Sequence, residues 1–204
     1  PLSEDFKVDP IACEGCAVCS WNCPENAIVM KDNVAGEYFI SDIPNGVMVH
    51  ALLNPGEDNS GKLVSQVKKT AKEAAEKKGI ENILIDGAPG IGCPVIASLS
   101  GVNLALIVTE PSRSGIHDLE RVLSLCGHFK ISAKVIINKY DINPRKSEEI
   151  EDYCKKTEIP ILDKIPFSKE VYEAVRTGKT VIEYNPQCEA SEIIQRIGKK
   201  IWKF

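Results

Sequence analysis

Apolar residues along this chain occur in two patterns: short unbroken runs, and longer stretches in which they recur every third or fourth position. The runs at 47–53, 83–85, 102–108, 134–137 and 159–165 are bounded by Gly, Pro or Asn, which suits strands, and those buried on both faces belong to a parallel sheet. The stretches between them carry helical stripes. One runs to about Lys78 through Leu63, Val64, Val67, Ala71 and Ala74, with Asn59 or Ser60 as its N-cap and Gly79 as its stop. A second, 113–129, places Ile116, Leu119, Val122, Leu123 and Cys126 on one face, which makes Cys126 a core residue. Residues 144–157 turn Ile150, Tyr153 and Cys154 inward, 169–177 form a further helix, and 189–202 align Ile193, Ile194, Ile197 and Ile201. Residues 180–184 read as extended. Strands alternating with helices predict an α/β fold, a mostly parallel sheet with helices on both faces.

The stretch 82–111 organises the rest. Its first run (Ile83, Leu84, Ile85) ends on a single carboxylate, Asp86, followed by the Gly/Pro-rich turn Gly87-Ala-Pro89-Gly90 and a helical segment. An acid at the carboxyl end of a buried strand lies where open α/β sheets bind ligands. The glycines allow backbone to approach a phosphate. Asp86 is therefore expected to be the magnesium-side acid of a nucleoside triphosphate site.

Composition separates the N-terminus from this pattern. Residues 1–44 hold eight acids and two lysines, leaving 21 acids and 23 bases in the remaining 160, for a chain net of −4. That asymmetry marks a distinct first module, expected at 1–43, ahead of an α/β domain at 44–204, with the turn Ile43-Pro-Asn-Gly as linker. The small net charge gives no reason to expect nucleic acid, and no apolar run is long enough for a membrane span. The chain begins with Pro1, so its start is expected to be processed or missing.

Four of the eight cysteines fall within eleven residues: Cys13, Cys16, Cys19 and Cys23, in a C-x2-C-x2-C-x3-C-P run. This is the bacterial ferredoxin spacing, in which short gaps converge thiolates on a [4Fe–4S] cluster. A zinc knot is the alternative, although zinc sites usually pair two CxxC units at a distance. In two-cluster ferredoxins the fourth Cys of a run serves the other cluster, so one run leaves two options. Either all four thiols share one cluster, or a partner run upstream has been lost, which leaves Cys13, Cys16 and Cys19 without a fourth ligand in the run and Cys23 at an empty site. Residues 27–30 are expected to form a short strand and 36–42 a last strand or hairpin of this module. Thiol clustering of this kind points to a reducing cytoplasm rather than to disulfides.

Two further motifs carry chemistry. Gly56, Gly61 and Lys62 imitate a phosphate loop, but Leu63 stands where Ser or Thr would hold magnesium, and the segment also reads as a plain capped helix. Asn138-Lys-Tyr-Asp141 closes the 134–137 strand. Its carboxamide, with one donor and one acceptor, suits a nucleotide base, while a simple Asx turn is the bland alternative. The three histidines show no metal-site spacing and are expected at the surface or at strand ends.

The segments IDGAPGIGCPVIASLSGVNLALIVTEPSRSGIHDLERVL, VIINKYD and IPFSKEV together resemble the MinD-type P-loop ATPases. With the cysteine run, the resemblance is nearest to the subgroup carrying an inserted ferredoxin module, related to Mrp-type iron–sulfur carriers and the nitrogenase iron protein. The ending TVIEYNPQCEASEI is similar to the tail of that iron protein. The resemblance implies ATP and magnesium bound at a dimer interface and hydrolysis coupled to a [4Fe–4S] centre. Asp86 then matches the Walker B acid, residues 87–93 (Gly87, Pro89 and Gly90 among them) the second switch, Asn138 with Asp141 the base-reading motif, and Pro166 and Phe167 the wall of the base pocket. Cys93 matches a bridging-cluster ligand of the iron protein or is a buried or switch-lining thiol, and Cys188 is free. The family's K-G-G-x-G-K-[ST] loop does not occur in the 204 residues, so the fold is expected to be an incomplete P-loop NTPase fold. The chain is read as the C-terminal part of a longer protein or one half of a split one.

The expected partners are a second copy or a missing N-terminal half, and a redox or iron–sulfur partner protein. Two other functions remain open at this stage. One is a non-catalytic iron–sulfur carrier or scaffold. The other is a dinucleotide-dependent reductase, because Gly90-Ile-Gly92 followed by Val95 imitates G-x-G-x-x-G, with Glu110 near the place of a ribose-binding acid.

Overall fold

The alternating segment between residues 36 and 53 folds back on itself. In the computed structural model, which describes residues 7–9, 12–44, 46–57 and 61–202, β1 (Gly36–Ile43) pairs antiparallel with β2 (Gly46–Leu53) from Gly36↔Leu53 to Ile43↔Gly46. The turn signal at 43–46 therefore lies between the two strands of a hairpin. Contacts divide the chain into residues 1–86 and 87–204.

In the first unit a short helix, α1 (Val18–Trp21), precedes the hairpin, and α2 (Gly61–Lys78) packs on β2 with Thr70 and Ala75 buried. Lys78, in the last turn of α2, is ion-paired with Asp42 of β1. The helix end at Lys78 and the left-handed Gly79 agree with the sequence, whereas the expected cap at Asn59 or Ser60 lies outside the described residues. Gly36 has a steric reason: a Cβ there would lie 2.4 Å from the carbonyl oxygen of Leu52.

Two expected strands do not form. Residues 27–30 and 83–85 have no ladder partner among the described residues, and Leu84 is 84% exposed. A strand is a shared hydrogen-bond ladder, and among the described residues β2 pairs only with β1 and the 83–85 run joins no ladder. Asp86 consequently sits at the end of a largely exposed segment without strand pairing instead of a buried strand. His50 lies mid-strand in β2, half-buried and stacked on Phe39 with centroids 5.2 Å apart, rather than at a strand end.

The second unit holds the parallel sheet, in the order β3 (Leu104–Thr109), β4 (Ser132–Asn138), β5 (Ile161–Ile165). Alternation along β4 explains why its apolar run is continuous. Val135 and Ile137 face one layer with α4 (Arg113–His128) and α5 (Pro144–Lys156), where Leu119, Leu123, Cys126, Ile150 and Cys154 complete the core. Ile136 faces the other, against Ile193 and Ile197 of α8 (Glu189–Ile201). Each such side chain removed from water contributes about 1.5–3 kcal/mol. Burial pushes the thiols of Cys126 and Cys154 up, as inert core cysteines require.

A register shift at Val135/Ile136 turns Asp163 of β5 toward α8. There Arg196 donates to both its oxygens, at 2.8 and 2.9 Å, and Lys200 adds a contact at 3.1 Å. Residues 180–184 contain one helical turn, α7 (Val181–Tyr184), following α6 (Lys169–Arg176). The extended reading fails because Thr180 and Glu183 form a capping box, each side chain bonded to the other's backbone.

Candidate functional site

Parallel strands that end together bring distant loops together. β4 ends on Asn138, whose register partner is Ile165, the last residue of β5. The following segments then run side by side: the Tyr140 N–H donates to the Ile165 carbonyl at 3.2 Å, and the Phe167 N–H donates to Asp141 Oδ1 at 2.7 Å. Asn138, Asp141, Pro166 and Phe167 are thus gathered at the carboxyl edge of the sheet, the side on which α/β folds bind ligands. Asn138 is half-buried, and its carboxamide makes no side-chain hydrogen bond among the described residues. The Phe167 ring is 52% exposed.

The loop after β3 reaches the same edge. Lys139, in a left-handed conformation at φ 53°, places Nζ 2.6 Å from Glu110 Oε1. Ser112 caps α4 by accepting the Gly115 N–H at 2.9 Å, and Thr109 Oγ1 donates to the Gly115 carbonyl at 3.0 Å. A Cβ at Gly115 would lie 2.3 Å from the Glu110 carbonyl oxygen, so the loop closes this tightly only on glycine. Sequence reasoning missed Glu110–Lys139 and Gly115 as parts of this edge. The N-K-x-D motif and the Gly in TEPSRSG were their only signals.

The remaining expected residues lie on other segments of the chain. Gly87, Pro89 and Gly90 form the turn leading to α3 (Cys93–Leu99), with Gly90 left-handed at φ 82° and Gly92 accepting the Val95 and Ile96 N–H groups. Cys93 is the exposed first residue of that helix, not a buried thiol. Asp86 belongs to the first unit and Gly87 to the second. Lys62 and Leu63 lie in the first turn of α2, Leu63 half-buried as the capped-helix reading expects. Cys188 is the half-buried N-cap residue of α8, its Sγ 3.2 Å from Ser191 Oγ.

The cysteine run folds as a loop with Gly15 and Ala17 left-handed, then α1. Cys13, Cys16 and Cys19 are exposed and Cys23 half-buried, and among the described residues no three His, Cys, Asp or Glu side chains are gathered closely enough to hold a metal ion. Thiols are nevertheless the donor type that an iron–sulfur cluster takes. Cys13 and Cys16 precede α1, Cys19 lies in it and Cys23 follows it, and Cys23 Sγ accepts the Ala27 N–H at 3.3 Å. That bond, aided by the Glu25 N–H, holds the Cys23 thiol below its ordinary value and so favours the thiolate a metal requires. No described helix is long and apolar enough to cross a membrane.

Comparisons with known proteins bear on the family of the chain. An uncharacterised protein of Methanocaldococcus jannaschii is 30% identical over 200 residues, covering 98% of this chain and 66% of its own length. The septum site-determining protein MinD of Neisseria meningitidis is 27% identical over 128 residues, 57% of this chain and 47% of that protein. The chain thus spans about half to two thirds of the length of these relatives. Among solved structures, MinD of Pyrococcus horikoshii, complexed with Mg-ADP, superposes with a TM-score of 0.59 at 19% identity, over 71% of this chain and 57% of that one. At that identity the likeness is one of fold. Residues 59–202, well over half the chain, match the family described as ParA, NUBPL iron-transfer P-loop NTPase, and the chain belongs to that family.

Proposed function

We propose that this chain carries the base-reading and switch portion of an ATP site whose nucleotide state is coupled to an iron–sulfur centre. The observation that carries the reading is the half-buried carboxamide of Asn138, unpaired among the described residues and set beside the Pro166–Phe167 turn at the carboxyl edge of the parallel sheet. A carboxamide offers the donor and acceptor that the adenine edge complements. Asp86 would hold the magnesium that accompanies the triphosphate, and the 87–93 turn would respond to the γ-phosphate. The lysine-bearing phosphate loop comes from sequence or a subunit beyond these 204 residues, because a triphosphate needs that backbone cradle. A second copy of the chain is the expected partner across the nucleotide.

Cys13, Cys16, Cys19 and Cys23 would hold a [4Fe–4S] cluster, which supplies one-electron transfer or serves as cargo for delivery. The residues of the run prepare for it: left-handed turns at Gly15 and Ala17 let the loop wrap, and the Ala27 N–H stabilises negative charge on Cys23. The experiment is a titration of the purified protein, joined to any sequence encoded upstream of it, with Mg-ATP and with NADH. Saturable binding of ATP alone is the expected result. Binding of NADH alone would favour the reductase reading, and binding of neither would leave a carrier or scaffold.

A further inference from the structure

The N-K-x-D run offers two polar side chains at the end of one strand, and the structure puts them in different states. Asn138 is half-buried with its amide unpaired among the described residues. Asp141 is exposed, yet one of its oxygens is already taken: Oδ1 accepts the Phe167 N–H at 2.7 Å. With the Tyr140-to-Ile165 backbone bond, this second tie fastens the segment after β4 to the segment after β5 at two points. On the far side of Phe167, Ser168 caps α6 by accepting the Val171 N–H at 3.3 Å and donates to Glu170 Oε2 at 2.7 Å. Phe167 is therefore held from both directions while its ring stays open to solvent.

A carboxylate that reads a base works best with both oxygens. The guanine edge presents two adjacent donors, a ring N–H and an exocyclic amine, which two carboxylate oxygens match. The adenine edge presents one donor and one acceptor, which a carboxamide matches and a carboxylate does not. We propose that Asp141 is a positioning residue of the base site: its carboxylate fixes the Pro166–Phe167 turn beside Asn138, and base reading falls to Asn138. This rests on the nucleotide reading above and assigns the two polar residues of the motif separate tasks.

The test compares Asp141→Asn, Asp141→Ala and Asn138→Ala with the unaltered protein, each joined to any sequence encoded upstream of it, by fluorescence titration with ATP and GTP and by amide hydrogen exchange at Phe167 without nucleotide. Asn keeps a carbonyl oxygen for the Phe167 N–H, so Asp141→Asn should stay within roughly twofold of the parent affinity and keep Phe167 protected. Asp141→Ala should weaken ATP and GTP together by about tenfold and speed Phe167 exchange, with the ATP-to-GTP ratio unchanged. Asn138→Ala should lower that ratio and leave Phe167 exchange alone. If Asp141→Ala matches the parent in ATP affinity, or if Asp141→Asn is as impaired as Asp141→Ala with an altered ratio, the proposal is overturned while the nucleotide reading stands. If the unaltered protein binds neither nucleotide, the reading itself fails and takes the proposal with it.

Discussion

Lys139 Nζ lies 2.6 Å from Glu110 Oε1, joining the first turn after β4 to the loop after β3. Glu110 is the acid that a dinucleotide-binding fold would turn toward a ribose. Here it is engaged by a lysine. Adding NADH should therefore give no saturable fluorescence change. Both groups are substantially exposed, so Glu110→Gln should cost under about 1 kcal/mol in denaturant unfolding. Saturable NADH binding that Glu110→Gln weakens would reverse this conclusion.

Helix propensity and packing give opposite expectations for Gly115. Ala is favoured over Gly by about 1 kcal/mol inside a helix. Residue 115 lies in the first turn of α4, however, and a Cβ there meets the Glu110 carbonyl oxygen at 2.3 Å and Ser112 Oγ at 3.1 Å. Gly115→Ala should thus destabilise the protein by about 1–3 kcal/mol, as overpacking does. Thermal and urea unfolding of the variant measure it.

Arg196, with Lys200 in support, holds the Asp163 carboxyl well below the usual carboxylate range. A carboxyl depressed on folding adds stability that is fully present above its unfolded value of about 3.9 and is lost as pH falls toward the folded value. Asp163→Asn should cost about 1.5–3 kcal/mol at neutral pH, the range for hydrogen bonds to a charged group. Below pH of about 4 the gap between variant and parent should narrow. A gap independent of pH would show that the Asp163–Arg196 pair does not carry the effect.

Anaerobic reconstitution with iron and sulfide should give a broad visible absorption that depends on the cysteine run. Cys16→Ala should abolish it. Cys126→Ala should not, since that thiol is 1% exposed within the core. A colourless parent protein would remove the iron–sulfur half of the proposed function and leave the nucleotide half untouched.

Much of the second unit was legible because burial on both faces leaves a mark. Val135, Ile136 and Ile137 form an unbroken run since each neighbour faces a different helical layer. The nearness of Asn138 and Asp141 to Pro166 and Phe167 was an expectation of the family resemblance and not of the strand runs. The pin between Asp141 and Phe167 was not legible: the two are 26 residues apart, and the acceptor's partner is a backbone N–H that any residue supplies. The 83–85 run misled for a related reason. Apolar residues advertise burial, but a strand also needs a neighbouring ladder, and Leu84 has none among the described residues. Thr180 and Glu183 were a different kind of miss, because their capping-box spacing stood in the sequence and the β-branched Thr180, Val181 and Ile182 drew the extended reading instead.

Photolabelling with 8-azido-ATP tests the central claim most directly, since the reactive group sits on the base. The label is expected on peptides containing residues 138–141 or 166–168, blocked by excess ATP and diminished in Asn138→Ala. Label confined to other peptides, or insensitive to competing ATP, would contradict the assignment of this sheet edge as the base site.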